Sequence, residues 1–65
     1  MSQKQSNLLW LRDMLEHLVD CRQQLEWADN GEAVRVLTES MLRDLDCCRR
    51  LCESLRRRGQ LLQSA

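Results

Sequence analysis

Hydrophobic residues recur at helical spacing through the first half of the chain. In one stripe Leu8, Leu11, Leu15 and Leu18 stand three or four residues apart, and Leu25 follows two helical turns later. Flanking apolar residues widen it to about half of the helical wheel. Ser6 or Asn7 can cap the first turn, because a short polar side chain can accept a bond from an unpaired backbone N–H. The pattern predicts an α-helix over about 7–28.

The second half of the chain carries a stripe of the same kind. Its members are Val34, Leu37, Met41, Leu45, Cys48, Cys52 and Leu55. The residue after its last turn is Gly59, and glycine commonly ends helices. The pattern predicts a second helix over about 32–57, with residues 1–6 and 59–65 as flexible or flanking segments.

A strong turn signal separates the two stripes. Asp29, Asn30 and Gly31 favour the end of one helix and the start of the next, and Asp29 with Glu32 resembles a capping box. A connection this short makes the helices antiparallel neighbours. The chain has no proline and only four β-branched residues, which excludes a β-sheet protein. We therefore expect a single all-α module over 1–65, an antiparallel helical hairpin. The hairpin could also be a fragment of a larger protein.

Both predicted apolar faces are wider than one helix–helix seam requires. A seam needs about two apolar residues in seven, and the surplus would form an exposed patch of the kind that marks association surfaces. We expect dimerisation, or a partner helix, to complete a four-helix bundle. The hairpin resembles in shape, without a matching motif, that of the plasmid repressor-of-primer proteins, an analogy that implies no function. The interaction stripe is predicted at Leu11, Leu15, Leu18, Leu25, Val34, Leu37, Met41, Leu45, Cys48, Cys52 and Leu55.

Composition narrows the class of protein further. Ten basic and ten acidic residues give no net charge, and 43% of the residues are hydrophobic, which argues against disorder. No apolar run reaches the roughly 18 residues of a membrane span, so we expect no membrane partner. The sequence shows no secretion signal, which favours an intracellular location, cytoplasmic or nuclear, where structural disulfides are rare.

Four cysteines and one histidine are the candidates for metal chemistry. Cys48 and Cys52 share a helix face, as do His17 and Cys21, and such pairs can bind zinc. Counting from the turn places Cys21 and Cys48 about 13 Å apart along the hairpin, so one chain cannot join the two pairs in one site. A site shared by two chains would need a special offset between them. We expect Cys21, Cys48 and Cys52 to be small core residues, with no metal and no cofactor.

The sequence carries no signature of catalysis. His17 has no nucleophile with a third orienting group at readable spacing, and no glycine-rich phosphate loop is present. We therefore expect no enzyme activity and no small-molecule substrate. The predicted function is that of a non-catalytic interaction or oligomerisation module of an intracellular regulatory or scaffold protein. The module would form a homodimer or bind another helix.

Some apolar and basic residues lie outside the stripes and suggest further contacts. A possible exposed partner surface is formed by Trp10, Trp27, Leu9, Val36 and Cys47. Five arginines near one end could contact phosphates: Arg49, Arg50, Arg56, Arg57 and Arg58. A small nucleic-acid-binding hairpin is therefore the alternative function, although the absence of net positive charge argues against it.

Overall fold

A computed structural model describes the backbone of residues 2–64 and the side chains of residues 2–59. Two helices, α1 (Gln3–Trp27) and α2 (Gly31–Ser64), account for nearly all of this part of the chain, which contains no strand. The predicted all-α class with two helices is confirmed, and the arrangement is that of a hairpin measuring 53 × 18 × 13 Å. No helix in the described range is long and apolar enough to cross a membrane.

Helix α1 begins four residues before its predicted start. Ser2 is its N-cap: the Ser2 hydroxyl accepts from the Gln5 backbone N–H at 3.1 Å, and the Gln5 side chain accepts from the Ser2 N–H at 3.2 Å. This reciprocal capping box satisfies two otherwise unpaired donors. The prediction of a flexible segment before residue 7 is therefore wrong for residues 3–6.

The turn is built by Asn30 rather than by Asp29. The Asn30 side-chain oxygen accepts from the Ala33 backbone N–H at 2.8 Å, which caps α2, while the Ala28 N–H closes α1 on the Leu25 carbonyl. Gly31 is the first residue of α2, and no residue in the described range has a positive φ. The turn is thus made by side-chain capping, without the left-handed backbone that Asn-Gly permits.

Helix α2 continues through Gly59 to Ser64, so its predicted end near residue 57 is wrong. Glycine inside a helix costs only about 1 kcal/mol relative to alanine, and no proline follows it to force an end. The predicted flexible segment over 59–65 is helical in its backbone up to Ser64. Residues 1 and 65 lie outside the described residues, as do the side chains of Leu61 and Leu62.

The seam between the helices follows one row of residues on each. The α1 row consists of Asn7, Leu11, Met14, Leu18, Cys21, Leu25 and Ala28, and the α2 row consists of Leu37, Met41, Asp44, Cys48, Leu51 and Leu55. Spacings alternate between three and four, as in coiled coils. Only Cys21, Cys48 and Leu51 among the described apolar residues are buried. The described part of the hairpin therefore has a very small core by itself.

The seam differs from the predicted stripe in which residues it covers. Leu15 and Leu45 are each 51% exposed, and Val34 and Cys52 are exposed as well. Leu51, which is not part of the predicted stripe, is buried instead. The reason is geometric: a two-helix seam covers one narrow row, and the remaining apolar positions lie beside it.

Candidate functional site

Exposed apolar side chains continue along one side of the seam. On α1, Leu8 and Leu15 stand seven residues apart, two helical turns, and on α2 Leu45 and Cys52 are spaced in the same way. We call this surface the open apolar face, and it consists of Leu8, Leu15, Val19, Val34, Leu45 and Cys52. All six side chains are exposed. A face contributed by both helices is typical of the buried side of a helix bundle.

Charged side chains border the open apolar face. Arg12 forms ion pairs with Asp13 and Glu16 on α1. Arg49 pairs with Asp46 and Glu53 on α2, with N–O distances of 3.1 and 2.9 Å. A polar rim around an apolar centre is the usual arrangement of a protein–protein interface.

The hairpin is electrically polarised along its length. Asn7 contacts Ser54 and His17 contacts Asp44 across the seam. In both pairs the two residue numbers add to 61, and the same sum identifies other residues that face each other. The half nearer the turn, residues 16–45, therefore ends at the same level on both helices. It carries three basic and seven acidic residues, whereas the rest of the chain carries seven basic and three acidic. Residues 16–45, which we call the turn half, thus have a net charge of −4. The rest of the chain, which forms the opposite end of the hairpin and which we call the open half, has a net charge of +4.

The five residues predicted as an exposed partner surface do not form one surface. Trp10 and Cys47 line a groove on the side of the seam opposite the open apolar face, together with Asn7 and Leu51. Trp27 is 86% exposed and lies beside the turn. Leu9 is exposed next to Leu8, and Val36 is exposed on α2, a half-turn of the helical wheel away from Leu45.

Two of the five arginines proposed for phosphate contacts are engaged within α2. Arg49 pairs with Asp46 and Glu53, and Arg50 pairs with Asp46 at 2.9 Å. The hydrogen bonds that Arg49 donates to Asp46 and then to Glu53 raise the pKa of its guanidinium. Arg56, Arg57 and Arg58 are exposed on the last described turns. Nucleic-acid binding stays a prediction, with three arginines rather than five available for it.

A polar cluster crosses the seam near its middle. The Nδ1 atom of His17 on α1 hydrogen-bonds to the carboxylate of Asp44 on α2, and the Nε2 atom lies 3.8 Å from the Sγ atom of Cys21. Cys21 is 2% exposed, while the His17 side chain is 48% exposed and the Asp44 side chain 14%. The ligand atoms of the three residues all lie within 4.8 Å of one another.

Sequence reasoning had paired His17 with Cys21 but had missed Asp44. Asp44 is a member of the α2 seam row, at a position where an apolar residue is expected. A carboxylate in such a row indicates a polar partner on the facing helix. Counting equal distances from the turn would have brought it to the level of His17. Asn7 and Ser54 form a second polar contact in the seam, with the Asn7 amide donating to the Ser54 hydroxyl at 3.4 Å.

The remaining thiols are in different environments on α2. Cys48 is buried against α1, Cys47 is half-buried beside the Trp10 groove, and Cys52 is exposed. Burial raises the pKa of the Cys48 thiol, and the neighbouring Cys47, Cys52 and Asp44 add to the shift. Because the thiolate is the reactive form, Cys48 is the less reactive member of the Cys48–Cys52 pair.

No protein-family model, curated protein or solved structure matches this chain. The features of this chain that bear on function are therefore the open apolar face, the charge distribution and the polar cluster.

Proposed function

We propose that the chain is a non-catalytic interaction module that pairs with a second copy of itself through the open apolar face. The two hairpins then form a four-helix bundle. The observation that carries this proposal is the exposure of leucines on both helices of a hairpin that buries only three apolar residues among those described. Burying a leucine side chain contributes about 1.5–3 kcal/mol, so covering this face supplies the core that the hairpin lacks.

The charge distribution supports a second copy in reversed orientation as the occupant. If the second hairpin lies antiparallel to the first, the +4 half of each copy covers the −4 half of the other. The same two surfaces then meet twice around a two-fold axis, which is the usual form of a homodimer interface. A parallel arrangement would place like charges together.

Sedimentation equilibrium of the full chain tests the proposal. We expect a mass of twice 7.7 kDa that falls toward the single-chain mass on dilution. Leu15 and Leu45 lie at the centre of the open apolar face and are half exposed. Leu15→Glu and Leu45→Glu should therefore remove the dimer, because a charge at the centre of an apolar interface is costly to desolvate.

Val36→Glu is the matched control, since Val36 is equally exposed but faces away from Leu45. It should keep the mass of the parent chain. A parent that sediments as a single chain at every concentration, or a Val36→Glu variant that dissociates as fully as Leu45→Glu, would refute pairing through this face.

A further inference from the structure

The polar cluster has the geometry of a metal chelate. We propose that His17 and Cys21 bind a zinc-like divalent transition-metal ion through Nε2 and Sγ, with Asp44 holding the imidazole in place from the facing helix. The site goes beyond the proposed interaction function. It also lies away from the open apolar face. His17 stands nine residues after Leu8, which places the two side chains on opposite sides of α1.

The distance between the two donor atoms matches the span of a tetrahedral ion. Zinc binds thiolate sulfur at about 2.3 Å and imidazole nitrogen at about 2.0–2.1 Å, which at a tetrahedral angle separates sulfur and nitrogen by about 3.6 Å. The Sγ atom of Cys21 and the Nε2 atom of His17 lie 3.8 Å apart. An ion can therefore bridge them with a shift of a few tenths of an ångström. Both residues belong to α1, one helical turn apart, so the helix itself fixes this spacing.

Asp44 gives the imidazole the orientation that metal binding requires. The hydrogen bond from Nδ1–H to the Asp44 carboxylate leaves the lone pair of Nε2 directed toward Cys21. A carboxylate on the far nitrogen of a metal-binding histidine is a common arrangement, and it fixes the orientation of the ring. Since Asp44 lies on α2, the ion would also strengthen the contact between the two helices.

The donor set selects the class of metal. One thiolate sulfur and one imidazole nitrogen favour zinc or cobalt over calcium and magnesium, which prefer oxygen ligands. The half-exposed His17 ring leaves the outer side of the site open to solvent, where water completes the coordination. Binding displaces the proton of the Cys21 thiol into the buffer.

Cys21, His17 and Asp44 also resemble a cysteine–histidine–aspartate triad, in which the cysteine is a nucleophile. This is the competing interpretation. Such a nucleophile needs an accessible sulfur and N–H donors that stabilise an oxyanion. Cys21 is 2% exposed, and the backbone N–H groups around it are committed to the interior of α1. Metal binding requires no oxyanion donors, so the geometry favours it.

Titration of the full chain with Co²⁺ alone, in a reducing buffer without thiols, tests the site. We expect one ion per chain and a sulfur-to-cobalt charge-transfer band. His17→Gln changes a half-exposed side chain and should leave the fold intact, yet lower the affinity by more than about 100-fold. Asp44→Asn should lower it by about 10–100-fold, as is typical for loss of a partner behind a ligand.

A Cys47→Ser/Cys52→Ser variant is the matched control, because it removes two thiols of α2 and leaves the cluster intact. It should bind Co²⁺ as the parent does. Zn²⁺ should also protect Cys21, but not Cys52, from alkylation, as read by peptide mass mapping.

Three results would overturn the proposal. They are no charge-transfer band at equimolar Co²⁺, parent-like affinity in His17→Gln, or a band that is lost in the Cys47→Ser/Cys52→Ser variant. Rapid alkylation of Cys21 that Zn²⁺ does not slow would favour the nucleophile instead. The test does not depend on pairing of the hairpins, since a Leu45→Glu variant should bind the metal as well as the parent does.

Discussion

The buried thiol of Cys48 makes the stability of the hairpin depend on alkaline pH. Burial, followed by the nearby Cys47, Cys52 and Asp44, raises its pKa above the ordinary value of 9.0. Above about pH 9 the unfolded chain therefore loses this proton while the folded chain keeps it. The unfolded state binds fewer protons, so the free energy of unfolding falls as pH rises through this window.

We expect urea denaturation to show a decline in unfolding free energy between pH 8 and pH 10 that is smaller in Cys48→Ala. Cys52→Ala keeps the burial of Cys48, which is the largest cause of the shift, so its decline should stay closer to that of the parent than the decline of Cys48→Ala does. Equal slopes in the parent and in Cys48→Ala would contradict this origin of the pH dependence.

The residues of the seam show what sequence pattern could and could not reveal. Leu11, Leu18 and Leu37 were placed on the inner side of their helices because apolar periodicity identifies a face. Periodicity does not choose among adjacent rows of a wide apolar face, so Leu15 and Leu45 were predicted inside and Leu51 was not. Asp44 and Asn7 were missed for a related reason: a polar residue joins a seam only through a partner on the other helix.

At the scale of the helices, the caps set where each element begins. The sequence identified the turn correctly because Asn30 and Gly31 interrupt an otherwise continuous helical pattern. The early start of α1 was missed although Ser2 and Gln5 have capping-box spacing, because no apolar stripe accompanies them. The passage of α2 through Gly59 was missed because an isolated glycine weakens a helix without ending it.

The cap of α2 gives a prediction that separates two neighbouring residues. Asn30→Ala should lower the free energy of unfolding by about 1 kcal/mol, within a range of about 0.5–2 kcal/mol, because it removes the acceptor of the Ala33 N–H. Asn30→Asp keeps an acceptor for this N–H and should therefore retain most of the stability of the parent chain. Asp29→Ala should change the stability by no more than about 0.5 kcal/mol, and thermal denaturation monitored by circular dichroism compares the three. A larger loss in Asp29→Ala than in Asn30→Ala would assign the cap to Asp29.

At the scale of the whole molecule, the small core, the open apolar face and the charge polarity all favour assembly. A chain of this size is marginal without a partner or a staple. The open apolar face and the polar cluster lie on different sides of the same seam. Pairing would therefore complete the core on one side, while a bound ion would fasten the two helices on the other.

The sign of the salt dependence should reveal how two copies are oriented. In the antiparallel dimer the +4 and −4 halves attract, and added salt screens this attraction. We therefore expect the dimer dissociation constant to rise when salt is increased from about 0.01 M to 1 M, by an amount corresponding to about 0.2–1 kcal/mol for each exposed pair of charges brought together. Neutralising Arg56, Arg57 and Arg58 with glutamine reduces the open half from +4 to +1 and should flatten this dependence. A parallel dimer would show the opposite sign, since salt would then relieve repulsion between like halves, and sedimentation at several salt concentrations distinguishes the two orientations.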